Sequence, residues 1–113
     1  MPDADAWRQI AGRRERLKTG LLAIYAWYEN NATLLASVLR DAQNHPLTQE
    51  ISTMRFGPIV ATYYEVLGAK LNVRQRAMLH LALGFPTWCS LVQDSGLKPT
   101  VAVGLMVEAI ESA

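Results

Sequence analysis

The sequence predicts an all-α fold, a helical bundle of about five to six helices in one domain, and three observations lead there. No segment alternates apolar and polar side chains between turn residues, as a half-buried strand would. Apolar residues instead recur at three- and four-residue spacing along most of the 113 residues. Two late segments, 73–96 and 99–111, are apolar almost all round, and such helices are buried on more than one side. A hydrophobic fraction of 50% is enough to fill a core at this length.

The elements follow in order. Pro2 and Asp3 start a short helix through Ile10, with Asp3 as N-cap, Gly12 as the break, and Trp7 and Ile10 as a small apolar face. Residues 13–30 form an amphipathic helix whose inner stripe is Leu17, Leu21, Ile24, Tyr25 and Tyr28, with Trp27 off the stripe and resting on a neighbour. Asn31 is placed to cap the next helix, 32–43, with Leu34, Leu35, Val38, Leu39 and Ala42 on its core face. His45-Pro46 breaks the chain, since the residue before a proline is pushed out of helical geometry. Residues 47–71 read as one long helix carrying Leu47, Ile51, Met54, Phe56, Val60, Tyr63, Leu67 and Leu71, kinked or split at Gly57-Pro58.

The stretch 73–95 organises the rest. After Arg76 the next charged residue is Asp94. Asn72 and Gln75 match a capping box at its start. Gly96 suits a left-handed cap at its end. Pro86 lies inside and removes a backbone donor, so one kinked helix bending near Leu83 is expected, not two helices. The uncharged run is shorter than the roughly 20 apolar residues a bilayer requires, which argues against a membrane span. The last helix starts at Pro99 and runs towards Glu111. The apolar outer faces of 77–92 and 101–110 call for a partner, and a second copy of the chain is the simplest one. Candidate dimer contacts are Leu79, Leu83, Pro86, Cys89, Val103, Met106 and Ile110.

No residue pattern points to catalysis. There is no Gly-rich phosphate loop, nucleophile elbow or telling pair of acids, so the chain is expected not to be an enzyme and to need no cofactor. His45 and His80 lack the spacing of metal ligands; His80 reads as a core or pocket histidine. Cys89 stands alone, with the profile of a small core residue. Asp41 follows Arg40 directly and is placed to pair with an arginine on another helix, such as Arg55. A net charge of +1 and one short, interrupted basic cluster at Arg13–Lys18 argue against nucleic-acid binding. The acidic N-terminus lacks an apolar signal region, so a cytoplasmic location is expected.

Several segments resemble a known family. RERLKTGLLAIYAWYENNATLLASVLRDAQNHP is similar to the start of the C-terminal domain of TetR/AcrR-type transcriptional regulators. The matching residues are Arg16-Leu17, Tyr25 with Tyr28, Leu34-Leu35 and Arg40-Asp41. LALGFPTWCSLVQDSGL resembles a later family stretch through Phe85, Thr87-Trp88, Leu91-Val92 and Gly96-Leu97, and VGLMVEAI resembles the final helix. Pro86, Cys89 and Lys98-Pro99-Thr100 depart from the pattern. The resemblance implies an effector-binding and dimerisation domain, pairing through its last two helices in a four-helix bundle, with the ligand cavity among the earlier helices. No stretch matches a recognition helix, so the family's N-terminal helix-turn-helix domain is expected to be absent, excised or lost, and this chain alone is expected not to bind an operator.

On that reading the cavity is mainly apolar and takes a small hydrophobic or aromatic effector. Its expected lining is Tyr25, Tyr28, Met54, Tyr63, Met78, Leu81, Phe85 and Trp88, with tyrosine hydroxyls as polar contacts. The alternative is a homodimeric helical interaction module whose side chains close-pack and leave no pocket.

Overall fold

The computed structural model of the chain describes residues 1–44 and 58–113, and of 42–44 the backbone alone. The expectations for Ala42, His45, Pro46, Leu47, Ile51, Met54, Arg55, Phe56 and Gly57 lie outside what is described. Among the described residues the secondary structure is helical throughout, without a strand.

The first helix, α1 (Asp5–Arg8), is shorter than expected. Its N-cap is Ala4, not the expected Asp3, and carries no side-chain cap; Asp3, one residue earlier, accepts a 3.0 Å bond from the Asp5 amide, and Trp7 is buried. The following turn is held by Arg16, whose guanidinium donates to the Ile10 carbonyl at 2.7 Å. Helix α2 (Arg13–Asn30) buries Leu17, Leu21, Ile24 and Tyr25 and half-buries Tyr28, the stripe read from its spacing. Gly20 lies on the same side. A Cβ there would come within 2.6 Å of Leu67 Cδ2, so glycine lets α2 approach the fourth helix closely.

Helix α3 (Ala32–Asn44) departs from expectation. Leu35 packs against the core, but Leu34 and Leu39 are 62% and 40% exposed. Asn31 does not cap α3 with its side chain; its amide donates backwards to the Trp27 carbonyl.

Helix α4 is described over 58–67 and buries Tyr63, Val66 and Leu67. Gly68 follows, and Lys70 takes a left-handed conformation with φ 68° before Leu71 returns to the core. Helix α5 (Val73–Leu83) opens with the expected capping box: Asn72 Oδ1 accepts from the Gln75 amide at 2.9 Å, and Gln75 Oε1 accepts from the Asn72 amide at 3.1 Å.

The expectation of one kinked helix is corrected here. Gly84 is extended, with ψ 138°, and separates α5 from a one-turn helix, α6 (Phe85–Trp88). A proline inside a continuous helix loses a bond and clashes with the preceding turn. A break at Gly84 moves Pro86 into a first turn, where its missing N–H has no intrahelical partner to lose. After α6 the chain widens into a π-helical segment, Cys89–Asp94. Gly96, at φ 70°, then reverses it so that the Leu97 amide reaches the Leu91 carbonyl. The last helix, α7 (Pro99–Ser112), starts with proline in its first turn, as expected.

Helix α7 packs on both α2 and α5. Leu17, Leu21, Tyr25, Leu67, Leu79, Val103, Val107 and Ile110 are the fully buried centre of the core.

Candidate functional site

The break at Gly84 leaves the last carbonyls of α5 without helical donors. Their replacements come mainly from side chains. The Leu81 carbonyl accepts from the Gly84 amide and the Thr87 hydroxyl. The Tyr25 hydroxyl donates to the Ala82 carbonyl at 2.6 Å. The Tyr28 hydroxyl donates to the Leu83 carbonyl. Two tyrosines one turn apart on α2 therefore cap a helix more than fifty residues away in sequence.

Their rings extend into an aromatic cluster. Tyr28 meets Phe85 edge-on at 5.4 Å and Trp88 at 6.4 Å. Phe85 and Trp88 stack at 5.5 Å. Tyr25 and Trp27 flank Tyr28 at 6.1 and 5.9 Å. Burial raises the pKa of Tyr25, with a smaller contribution from Tyr28. Burial likewise pushes Tyr28 up to about 12. Both hydroxyls stay protonated and act as donors through the neutral range. One polar atom in this cluster is left over: the indole Nε1 of Trp88 is buried and has no hydrogen-bond partner.

The expected ligand residues divide accordingly. Tyr25, Tyr28, Phe85 and Trp88 do come together, around the end of α5. Their tyrosine hydroxyls already serve backbone carbonyls, so a ligand would meet ring surface there. Tyr63 lies elsewhere, against Trp7 at 5.2 Å, with its hydroxyl donating to the Pro2 carbonyl. It lines an open groove of about 420 Å³ with Pro2, Asp3 and Thr62. Burial, then the Asp3 carboxylate, raises its pKa. Leu81 is 54% exposed, on the opposite side of α5 from the core. Met78 is half-buried against the core, and Met54 lies outside the described residues. A second open groove, about 540 Å³, runs along the α2–α3 junction from Glu29 to Ser37.

The expected dimer contacts also need correction. Leu79, Leu83, Val103 and Ile110 are at most 5% exposed and belong to this chain's own core. They cannot be outward contacts in this arrangement. Met106 and Cys89 are half-buried against that core, and Pro86 is exposed. The outward apolar residues are Val73, Ala77 and Leu81 on α5, and Val101 and Leu105 on α7. His80 is not a core residue; it is exposed and lies flat on the Tyr64 ring at 5.1 Å. Burial and nearby Asp94 raise the Cys89 thiol pKa, which leaves it a poor nucleophile at neutral pH.

No family model, curated protein or solved structure matches this chain.

The outer face of α7 carries a pattern that its apolar composition concealed. Val101, Leu105 and Glu108 are all exposed at four- and three-residue spacing on one stripe of α7, and Lys98, the extended residue that precedes the helix, is exposed three positions before Val101. Beside them lies Gly104, where a Cβ would find no atom within 4 Å. Among the described residues neither Lys98 nor Glu108 has an ion-pair partner. No described helix is long and apolar enough to cross a membrane.

Proposed function

We propose that this chain is the dimerising, small-molecule-sensing part of a TetR-like transcriptional regulator, acting on DNA only through a separate DNA-binding domain. The observation that carries its dimerising part is the α7 stripe. Its spacing is the same read forwards or backwards, and its chemistry is complementary under that reversal. Two α7 helices related by a two-fold axis and running antiparallel would set Val101 of each copy against Leu105 of the other. Lys98 of each would meet Glu108 of the other. A two-fold interface uses the same patch on both copies, so self-complementarity is its requirement. Gly104 beside the centre of that crossing lets the two backbones approach closely. Val73, Ala77 and Leu81 on α5 are a second set of outward apolar residues, and obligate dimers commonly bury about 2,000 Å² or more in total.

The regulator assignment rests on the segment resemblance. The sensing assignment rests on the aromatic cluster at the α5–α6 break, whose ring surfaces are of the kind that contact a hydrophobic or aromatic effector. A second reading, a homodimeric interaction module without a ligand, is favoured by one observation: the hydroxyls of Tyr25, Tyr28 and Tyr63 are all taken by backbone carbonyls.

Analytical ultracentrifugation at micromolar concentration tests the shared part. A dimer that Leu105→Glu converts to a monomer is expected; a wild-type monomer would refute both readings. A thermal-shift screen of lipophilic and aromatic compounds then separates them, since only the sensing reading expects stabilisation by a member of that set.

A further inference from the structure

Charge is unevenly spread over the second half of the chain. No acidic residue lies between Glu65 and Asp94, whereas Lys70, Arg74 and Arg76 do. Arg74 and Arg76 are exposed at the start of α5, and Asp94 is exposed at the end of the π-helical segment. Among the described residues none of these three has an ion-pair partner.

The two arginines stand on opposite edges of α5. Residues 76 and 80 are one turn apart, and His80 lies on the Tyr64 ring of α4, so Arg76 borders α4. Arg74 is on the other side of the outward Val73, Ala77 and Leu81 stripe, one turn from Met78, which is half-buried against the core. Its neighbour Gln75 donates to the Glu111 carbonyl near the end of α7. Arg74 therefore marks the corner where the start of α5 meets the end of α7.

That contact also sets a register. Helix α5 starts beside the end of α7 and packs along it. After α6 and the π-helical segment the chain turns at Gly96 and begins α7 at Pro99. Asp94 thus stands by the start of α7, at the opposite end from Arg74. The 11 residues of α5 alone span about 16 Å, so the two charges of one chain are out of each other's reach. The antiparallel α7 pair removes that separation between copies. It sets the start of each α7 beside the end of the other, and so the turn that carries Asp94 of one copy beside the corner that carries Arg74 of the other.

We infer that Arg74 of each copy pairs with Asp94 of the other, twice per dimer, and that these pairs fix the direction in which the two chains associate. The inference rests on the α7 pairing proposed above and deepens it. Val101 and Leu105 supply burial there, while the charges select antiparallel over parallel. A parallel pair would set Arg74 against Arg74 and Asp94 against Asp94, and like charges across an interface suppress the wrong arrangement.

The test is charge reversal in the full chain, read by analytical ultracentrifugation. Arg74→Glu puts an acid in the first turn of a helix and Asp94→Arg a base in a last turn, both favourable placements, so each variant should fold. Each alone replaces two attractive contacts per dimer by two repulsive ones and should raise the dimer Kd by about tenfold, the sum of two modest surface effects. An equimolar mixture of the two variants can form a heterodimer in which both contacts are again of opposite sign. Mixing should therefore restore association to within about threefold of wild type. The losses should also shrink at high salt, as exposed charges are screened. A loss that mixing does not rescue arises within one chain and overturns the inference. A wild-type dimer that neither reversal weakens overturns it as well, while its dissociation by Leu105→Glu would leave the α7 pairing standing. A wild-type monomer overturns both.

Discussion

Gly104→Ala separates what this chain does alone from what it does in a pair. Position 104 is inside α7, where glycine is about 0.8–1.0 kcal/mol less favourable than alanine. Within a chain that burden usually has a steric reason, as at Gly20, where a Cβ would strike Leu67. At Gly104 there is none, because a Cβ would meet nothing within 4 Å. In the monomer the substitution should therefore stabilise by about 1 kcal/mol, or about 4 °C in melting temperature for a chain of this size. In the antiparallel pair each copy would place a new methyl at the close approach beside Val101 of the other. Overpacking typically costs about 1–3 kcal/mol. The dimer dissociation constant should rise by about tenfold or more. The assay is a pair of concentration series, thermal melts at nanomolar chain and sedimentation from nanomolar to micromolar. Opposite signs are required: a more stable monomer and a weaker dimer. If Gly104→Ala strengthens both, the α7 faces do not meet at this residue and the two-fold pairing is wrong.

Three further outcomes follow from the fold. Tyr25→Phe should destabilise by about 1–3 kcal/mol in urea unfolding, because it leaves the buried Ala82 carbonyl without its donor; a change within error would mean that water replaces the hydroxyl. Lys70→Gly should raise stability by about 1 kcal/mol, since Lys70 holds φ 68°, a region that penalises side chains but not glycine; a loss would show that the lysine side chain has a role outweighing this strain. For pH, Tyr28 is raised from the usual 10.0 to about 12, so its stabilising contribution is complete below pH 10 and is lost as pH rises towards 12, because the unfolded chain releases the proton first. The urea midpoint should fall over that window, with tyrosinate absorbance appearing together with unfolding; early tyrosinate absorbance from a folded Tyr28→Phe variant would assign the titration to other tyrosines.

What could be read from the sequence was local. The α2 stripe depends on residues within one helix, and the Asn72–Gln75 box on residues three apart; both are present as read. The α5–α6 break was not legible from the same kind of pattern. Gly84 and Pro86 permit either a kink or a break. The difference is whether the carbonyls of Ala82 and Leu83 find new donors, and those donors sit on α2. No window around Pro86 contains that information.

Facing was hidden for another reason. Helices α5 and α7 carry apolar residues on both sides, so composition cannot say that Leu79 and Val103 turn inward while Leu81 and Val101 turn outward. Once burial removes the inward set from α7, the exposed remainder has an order of its own, Lys98, Val101, Leu105, Glu108, with a basic residue at one end and an acidic one at the other. At the other end of the molecule's chemistry, Tyr25 and Tyr28 were expected to hold ligand through their hydroxyls. They hold the end of α5 instead. That leaves Trp88 as the cluster's one buried side-chain donor without a partner among the described residues. The break that accommodates Pro86 thus directs the tyrosine hydroxyls to the backbone carbonyls of Ala82 and Leu83.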